Sequence, residues 1–283
     1  MTVKECLEAY REHHLEQVVD QKRVLISIGH LLPFWADKKP EKIRPADFAD
    51  YRAGRKAAPA TVNRELAVLS AALKFAYRHG WITVSPYVPR VKEVPRVHWM
   101  RPETAQWLLE AAKPVRHLYA YILISLHSGQ RKDAVLGLTW DRVDWESNVI
   151  RFTDPHLVCA HRRKNRATVP ISATLRELLL ELREEAGTSP YVINYAGTRL
   201  QDIRHAWRKA IKAAEISGKH TPHGLRHSVA TNLLRSGRTL LEVSKLLGHR
   251  DSSITERVYG HFEPDFVQDS VNQLDHLFGA QQL

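Results

Sequence analysis

Apolar residues over the first eighty positions recur at helical spacing. Leu7, Tyr10, His14 and Val18 are separated by three and four residues, and Val24, Ile28, Leu31 and Leu32 repeat the pattern before Pro33. A third run covers 45–55. In the fourth, Val62, Leu66, Leu69, Leu73 and Ala76 mark one face, with Thr61 placed to cap its start and Gly80 to stop it. Over 83–98 the periodicity breaks: three prolines are interleaved with Arg90, Lys92, Arg96 and His98, the pattern of an extended, positively charged connector. Three parts are therefore expected: a helical domain over 1–82, a basic linker over 83–98, and a larger domain over 99–283.

In the larger domain Pro102 can begin a helix that reaches about residue 112, and 118–127 is apolar enough for a buried helix. Short strands are expected at 142–144, 149–152 and 167–171, the last reached through a basic turn at 161–166. Further helices are expected near 172–186, 200–215, 222–236, 239–247 and 264–277. The fold class is mainly α with a small antiparallel β-sheet, a helical unit followed by a mixed α+β unit. No internal repeat or low-complexity tract is present.

Composition narrows the partners. Lys plus Arg outnumber Asp plus Glu by 42 to 31 in 283 residues, a formal charge of +11, and an excess of that size attracts polyanions, nucleic acid first. Cys6 and Cys159 have no paired spacing, which argues against a disulfide framework and against a cysteine zinc site. Sixteen histidines without a four-ligand Cys/His zinc signature give no expectation of a metal site either. The first twenty residues mix acidic and basic side chains among the apolar ones, unlike a signal peptide, and the longest apolar stretch, 118–126, is about half of what a membrane helix needs. A cytoplasmic, nucleoid-associated protein without membrane contact is expected.

Four short stretches carry candidate chemistry: Ser128-Gly129-Gln130-Arg131, His223-Gly224-Leu225-Arg226-His227, Leu246-Leu247-Gly248-His249, and Tyr259 ten residues after His249. Taken singly, each has an ordinary reading. Arg131 suits a surface ion pair at a helix start, His223 a helix cap, His249 a helix C-terminus, and Tyr259 a core aromatic. In this order and spacing, however, they resemble the tyrosine recombinases, the family of the phage integrases and chromosome-dimer resolvases. The likeness covers nearly the whole chain, with the four-helix front end that carries 61–82 similar to the family's core-binding domain and 131–259 to its catalytic domain.

The resemblance implies strand cleavage in which Tyr259 attacks phosphorus and leaves a 3′-phosphotyrosine and a free 5′-hydroxyl. Ester energy is retained, so neither ATP nor any other cofactor is implied. Arg131 and Arg226 would clamp the non-bridging oxygens, because guanidinium forks match them bidentately and stay charged. His223 and His249 would donate further hydrogen bonds, with His223 helping to take the tyrosine proton. Lys164 matches the family's hairpin lysine, which protonates the leaving 5′-oxygen; flanking Arg162, Arg163 and Arg166 would make it a better acid. Two departures stand out. Ala134 occupies a usually acidic position, with Asp133 beside it, and the gap from His249 to Tyr259 is one residue longer than the commonest spacing, lengthening the tyrosine loop.

Phosphate contacts are expected from Arg64, Lys74 and Arg78 on the fourth helix, from Arg90, Lys92 and Arg96 in the connector, and from Arg162, Arg163 and Arg166 in the hairpin. The implied partner is double-stranded DNA, bound by a homotetramer on paired sites, with accessory directionality or DNA-bending proteins. The apolar stripe over 262–278 suits packing on its own domain or docking on a neighbouring subunit. With the core-binding pattern beginning near Met1, no additional arm-binding domain is expected in front. Two alternatives remain: a catalytically silent DNA-binding member of the same fold, favoured only by Ala134, and a related resolvase or type IB topoisomerase-like enzyme.

Overall fold

The computed structural model describes residues 1–91, 98–153, 167–249 and 252–259. The chain divides into two compact units, Met1–Pro95 and Arg96–Leu283. No helix among the described residues is long and apolar enough to cross a membrane.

The first unit holds α1 (Val3–His14), α2 (Gln21–Trp35), α3 (Pro45–Gly54) and α4 (Pro59–Arg78). α4 is the spine, packed by α1 and α2, and Leu7, Leu31, Trp35, Leu66, Leu69 and Leu73 fill the core. α1 opens on a capping box, with Thr2 and Glu5 each accepting the other's backbone N–H. Two helix boundaries differ from expectation. α4 begins at Pro59, with Ala58 and not Thr61 at the cap position, because proline has no N–H to leave unpaired in a first turn and its fixed φ suits one. α2 continues through Pro33 to Trp35. The ring removes the bond to the carbonyl of Gly29, an exposed residue, and the full burial of Trp35 holds the last turn in place.

α3 is tied to α4 by a buried carboxylate. Glu65 accepts from the Tyr51 hydroxyl at 2.7 Å and from Arg55 Nη2 at 2.9 Å. Residues 83–91 also lie against this unit: the Asn63 amide donates to Val91 O (2.8 Å) and accepts from Val91 N (2.9 Å), and Arg52 donates to Pro89 O. Ile82 and Val88 are buried in the same core. Lys92 and Arg96 lie outside the described residues.

The second unit is organised around α6 (Arg116–Ser128), buried on nearly every side from Leu118 to Ser125, as its all-round apolar sequence requires. α5 (Pro102–Ala112) and α8 (Ala173–Glu185) pack on it. Between them β1 (Val143–Asp144), β2 (Val149–Arg151) and β3 (Thr168–Pro170) form an antiparallel sheet in the order β1-β2-β3, with Val143, Ile150 and Val169 in register and facing the core. α7 (Lys132–Leu136) is a short helix that ends at Gly137.

The hairpin of β4 (Asn194–Tyr195) and β5 (Thr198–Arg199) was not anticipated. It turns on Ala196 and Gly197, both at positive φ, and two-residue strands leave no alternation to detect. α9 (Arg204–Ala213), α10 (Gly224–Arg235), α11 (Leu240–Leu247) and α12 (Ser252–Tyr259) follow. The stretch before Tyr259, expected as a loop, is largely the helix α12. Thr255 and Tyr259, one turn apart, are both buried, Tyr259 against Ala230, Leu234, Val243 and Leu247. The basic turn at 161–166, with Lys164, Arg162, Arg163 and Arg166, and the expected helix at 264–277 lie outside the described residues.

Candidate active site

Four segments deliver the side chains. The first is the turn after α6. Gly129 sits at φ +64°, closing the helix in the left-handed conformation, and an added Cβ would meet Leu247 Cδ2 at 2.8 Å and Val229 Cγ1 at 3.3 Å. Gln130 Nε2 bonds Ser128 O (3.1 Å) and Leu246 O (2.8 Å), fastening this turn to the end of α11. Arg131 then stands at the head of α7, half-buried, on the wall of a cleft of about 1130 Å³.

The second is the loop into α10. Trp207 Nε1 donates to His220 O at 3.1 Å and the Tyr121 hydroxyl to Pro222 O at 3.4 Å, bringing His223, exposed, to the wall of the same cleft. His223 makes no side-chain cap to the helix it heads. α10 is pinned from outside by the chain before α5: Met100 N donates to Ser228 Oγ (2.8 Å) and Asn232 Nδ2 to Met100 O (3.0 Å).

Behind the cleft wall lies Arg226, 4% exposed. Its Nη1 donates to Gly129 O and to Leu247 O, both at 2.9 Å, and its Nη2 to His249 Nε2 at 2.7 Å. Both carbonyls belong to helix C-termini, where the partial negative charge of the peptide dipoles collects. Burial, then the nearby Arg131, pull the guanidinium down to about 10, still charged at neutral pH.

His249 follows α11 and is the third segment. A guanidinium can only donate, so Nε2 is the lone-pair nitrogen and Nδ1 carries the proton, which it gives to Thr255 Oγ1 at 2.7 Å. Burial, then Arg226, Arg131 and His227, push this imidazole down to about 4. It is therefore neutral, and its Nε2 accepts where the sequence reading expected a donor to phosphate.

Tyr259, at the end of α12, is the fourth. Its ring is 2% exposed, but its hydroxyl meets a polar group: His227 Nδ1 lies 2.6 Å from Oη. Burial raises the phenol to about 12, with Arg226 opposing. The His227 ring also stands edge-to-face with His223, centroids 5.0 Å apart. Burial, then His223, Arg226 and His98, lower His227 to about 4.

Thus Arg131, His223, Arg226, His249 and Tyr259 belong to one neighbourhood of the second unit, and Lys164 lies outside the described residues. The sequence reading passed over His227 and Thr255. His227 closes the five-residue motif that begins at His223, four positions on and hence one helical turn along the same face; Thr255 carries no comparable signal. Ala134 is buried in the hydrophobic core and Asp133 is exposed, so Asp133 does not take the place of a buried acid. No group of three or more His, Cys, Asp or Glu among the described residues could hold a metal ion.

The candidate DNA contacts of the first unit are exposed: Arg64, Lys74 and Arg78 on α4, and Arg90. Lys74, Arg78 and Arg90 line one hollow with Ser70 and Ala71, while Arg64 borders another with Lys22, Arg23 and His30.

Comparison with known proteins gives the same direction from independent grounds. The tyrosine recombinase XerC of Halalkalibacterium halodurans is 29% identical over 235 residues, covering 75% of this chain and 74% of that protein. In fold, the chain is similar to the Tn1549 transposon integrase solved with transposon right-end DNA, with a TM-score of 0.78 at 16% identity over 99% of this chain and 100% of the other. It is similar, too, to a lambda integrase tetramer solved on a Holliday junction, with a TM-score of 0.73 at 17% identity over 92% of this chain and 77% of the other. Residues 96–265, more than half of the sequence, match the phage integrase family model. The chain belongs to the phage integrase family, and is a tyrosine recombinase.

Proposed function

We propose that this protein carries out site-specific recombination of double-stranded DNA, cutting and rejoining strands through a 3′-phosphotyrosine at Tyr259. The supporting observation is the grouping of two guanidiniums and three imidazoles around one phenol, on segments spread over some 130 positions of sequence. A scissile phosphodiester beside Arg131 and Arg226 would have its non-bridging oxygens held by cations that keep their charge at every working pH. Arg226 is fixed by two carbonyls before substrate arrives, so little reorganisation accompanies the build-up of charge in the transition state.

In this reading His223, at the cleft wall, donates to the phosphate. His249 orients Arg226 and becomes a donor once the phosphate's negative charge raises its proton affinity. Lys164 supplies the proton for the departing 5′-oxygen. The exposed face of α4, with Ala67, Ser70 and Ala71 between Arg64, Lys74 and Arg78, suits close approach of a duplex backbone, and Arg90, Lys92, Arg96, Arg162, Arg163 and Arg166 are the further basic residues expected to contact phosphates. The assembly is a homotetramer on paired sites, by likeness to the lambda integrase tetramer on its Holliday junction.

The test is formation of a denaturant-resistant protein–DNA adduct on nicked duplexes tiled across the DNA flanking the gene. Wild-type protein should give one and Tyr259→Phe none. A wild-type protein that binds such a site tightly without forming an adduct would refute the enzymatic reading in favour of a silent binder.

A further inference from the structure

We propose that His227 is the group that accepts the Tyr259 proton during strand cleavage. The inference rests on the recombinase reading and adds to it a residue that the family resemblance does not supply. The hydrogen bond to the phenol belongs to His227, with Nδ1 2.6 Å from Oη. Both groups are neutral and the phenol O–H is the stronger donor, so Oη donates to the Nδ1 lone pair, with the other ring nitrogen protonated. A general base must lie within hydrogen-bond reach of the proton it removes, and this contact meets that condition before substrate is bound.

Position in the fold supports the assignment. His227 lies on α10 directly after Arg226, so one helical turn presents both the phosphate clamp and the acceptor. Its ring is half-buried, in tilted contact with the Tyr259 ring (centroids 5.7 Å) on one side and edge-to-face with His223 on the other. His223 faces the cleft, which gives a proton on His227 a polar neighbour at the substrate side.

The step balances. As Oη bonds phosphorus, its proton passes to His227 Nδ1, the bond from phosphorus to the 5′-oxygen breaks, and that oxygen takes a proton from the leaving-group acid. Rejoining reverses each transfer: the 5′-hydroxyl attacks, and the phenolate leaves by recovering the proton held on His227. The groups facing His227 are His223 and Arg226 on α10, His98 ahead of α5, and Tyr259 on α12, with His249 nearby. Of these, His223, Arg226 and His98 oppose a proton on His227 by their charge. A phosphodiester held by Arg226 and Arg131 offsets that opposition, so proton transfer becomes favourable only with DNA in place.

The experiment measures single-turnover adduct formation on the nicked site, comparing wild type with His227→Asn, whose amide oxygen can receive the phenol hydrogen bond but not the proton. Adduct formation should slow by about 10²- to 10⁴-fold, the usual span for a lost general base. The rise of wild-type rate with pH should flatten in the variant, while DNA affinity and melting temperature stay near wild type. A substrate with sulfur bridging at the 5′ position, whose thiolate leaves without a proton, should not relieve the defect. His227→Asp, which restores a proton acceptor, should recover part of the rate.

A His227→Asn rate within threefold of wild type would overturn the assignment. So would relief by the bridging sulfur, which would place the residue on the leaving-group side, or a rate loss matched by losses of affinity and melting temperature. Absence of adduct with wild type as well would sink the recombinase reading itself, an outcome distinct from failure of the variant alone.

Discussion

Replacing Gly129 by alanine should damage the site without touching a charged group. At φ +64° an L-residue costs about 1–2 kcal/mol relative to glycine. The new methyl would lie 2.8 Å from Leu247 Cδ2 and 3.3 Å from Val229 Cγ1. Leu247 is fully buried, so its methyl cannot swing into solvent, and overpacking of this kind costs about 1–3 kcal/mol. The sum is about 2–5 kcal/mol of lost stability. Gly187 supplies the control: it sits at φ +55° with nothing within 4 Å of an added methyl, so Gly187→Ala should lose only the conformational part. Urea unfolding of the two variants should therefore differ by the contact contribution, about 1–3 kcal/mol. The displacement also reaches Arg226, because Gly129 O and Leu247 O are the two carbonyls that hold Nη1. Adduct formation should fall in Gly129→Ala and not in Gly187→Ala. Equal stabilities for the two variants would refute the close-contact reasoning, and an undiminished adduct rate in Gly129→Ala would refute the coupling to Arg226.

Two further outcomes follow from the same geometry. Thr255→Val keeps the shape of a fully buried side chain but leaves the His249 Nδ1 proton without its acceptor, so stability should drop by about 1–3 kcal/mol and adduct formation with it; a loss under about 0.5 kcal/mol would show that this bond does not fix the imidazole. His227 and His249 both lie near 4 in the folded chain, below the ordinary histidine value of 6.5, so between those limits the unfolded chain binds protons that the folded one does not. Their contribution is complete above pH 6.5 and is lost as pH falls toward 4; a melting temperature that stays flat from pH 6.5 to 5 would contradict the burial of these rings as neutral groups.

The helices were legible because their apolar faces are regular, and α4, α6, α8, α10 and α11 lie close to where periodicity puts them. What escaped was set by contacts rather than by pattern. The start of α4 was decided by Pro59, a stronger first-turn residue than Thr61 is a cap, and the end of α2 by the burial of Trp35. α12 was missed because its anchors, Thr255 and Tyr259, look polar in sequence and are buried only through their partners. At the site, Arg131, His223, Arg226, His249 and Tyr259 stood out through their resemblance, in order and spacing, to the tyrosine recombinases, and their chemical roles remain the proposal made above. Which imidazole touches which atom was not legible. His223 and His227 stand one turn apart on one helix, and only the packing of α12 against α10 and α11 brings the phenol to the second of them.

That packing also explains how the site can tolerate Ala134 at a usually acidic position. Arg226 is buried, and its partners among the described residues are two carbonyl oxygens and a neutral imidazole, with no carboxylate. Dipoles at the ends of α6 and α11 orient the guanidinium but do not cancel its charge, as the downward pull on its proton affinity from burial and from Arg131 attests. A carboxylate in this place would steady the arginine equally well and would also oppose an incoming anion. Without one, the proposed function leaves the positive charge of Arg226 and Arg131 to be balanced by the phosphodiester itself. Burial first, then His223, Arg226 and His98, keep His227 neutral and a poor proton acceptor, and burial keeps Tyr259 protonated. In the proposed mechanism, substrate binding and activation of the nucleophile would then be one electrostatic event: the charge that fills the clamp would be the charge that makes the phenol's proton transferable.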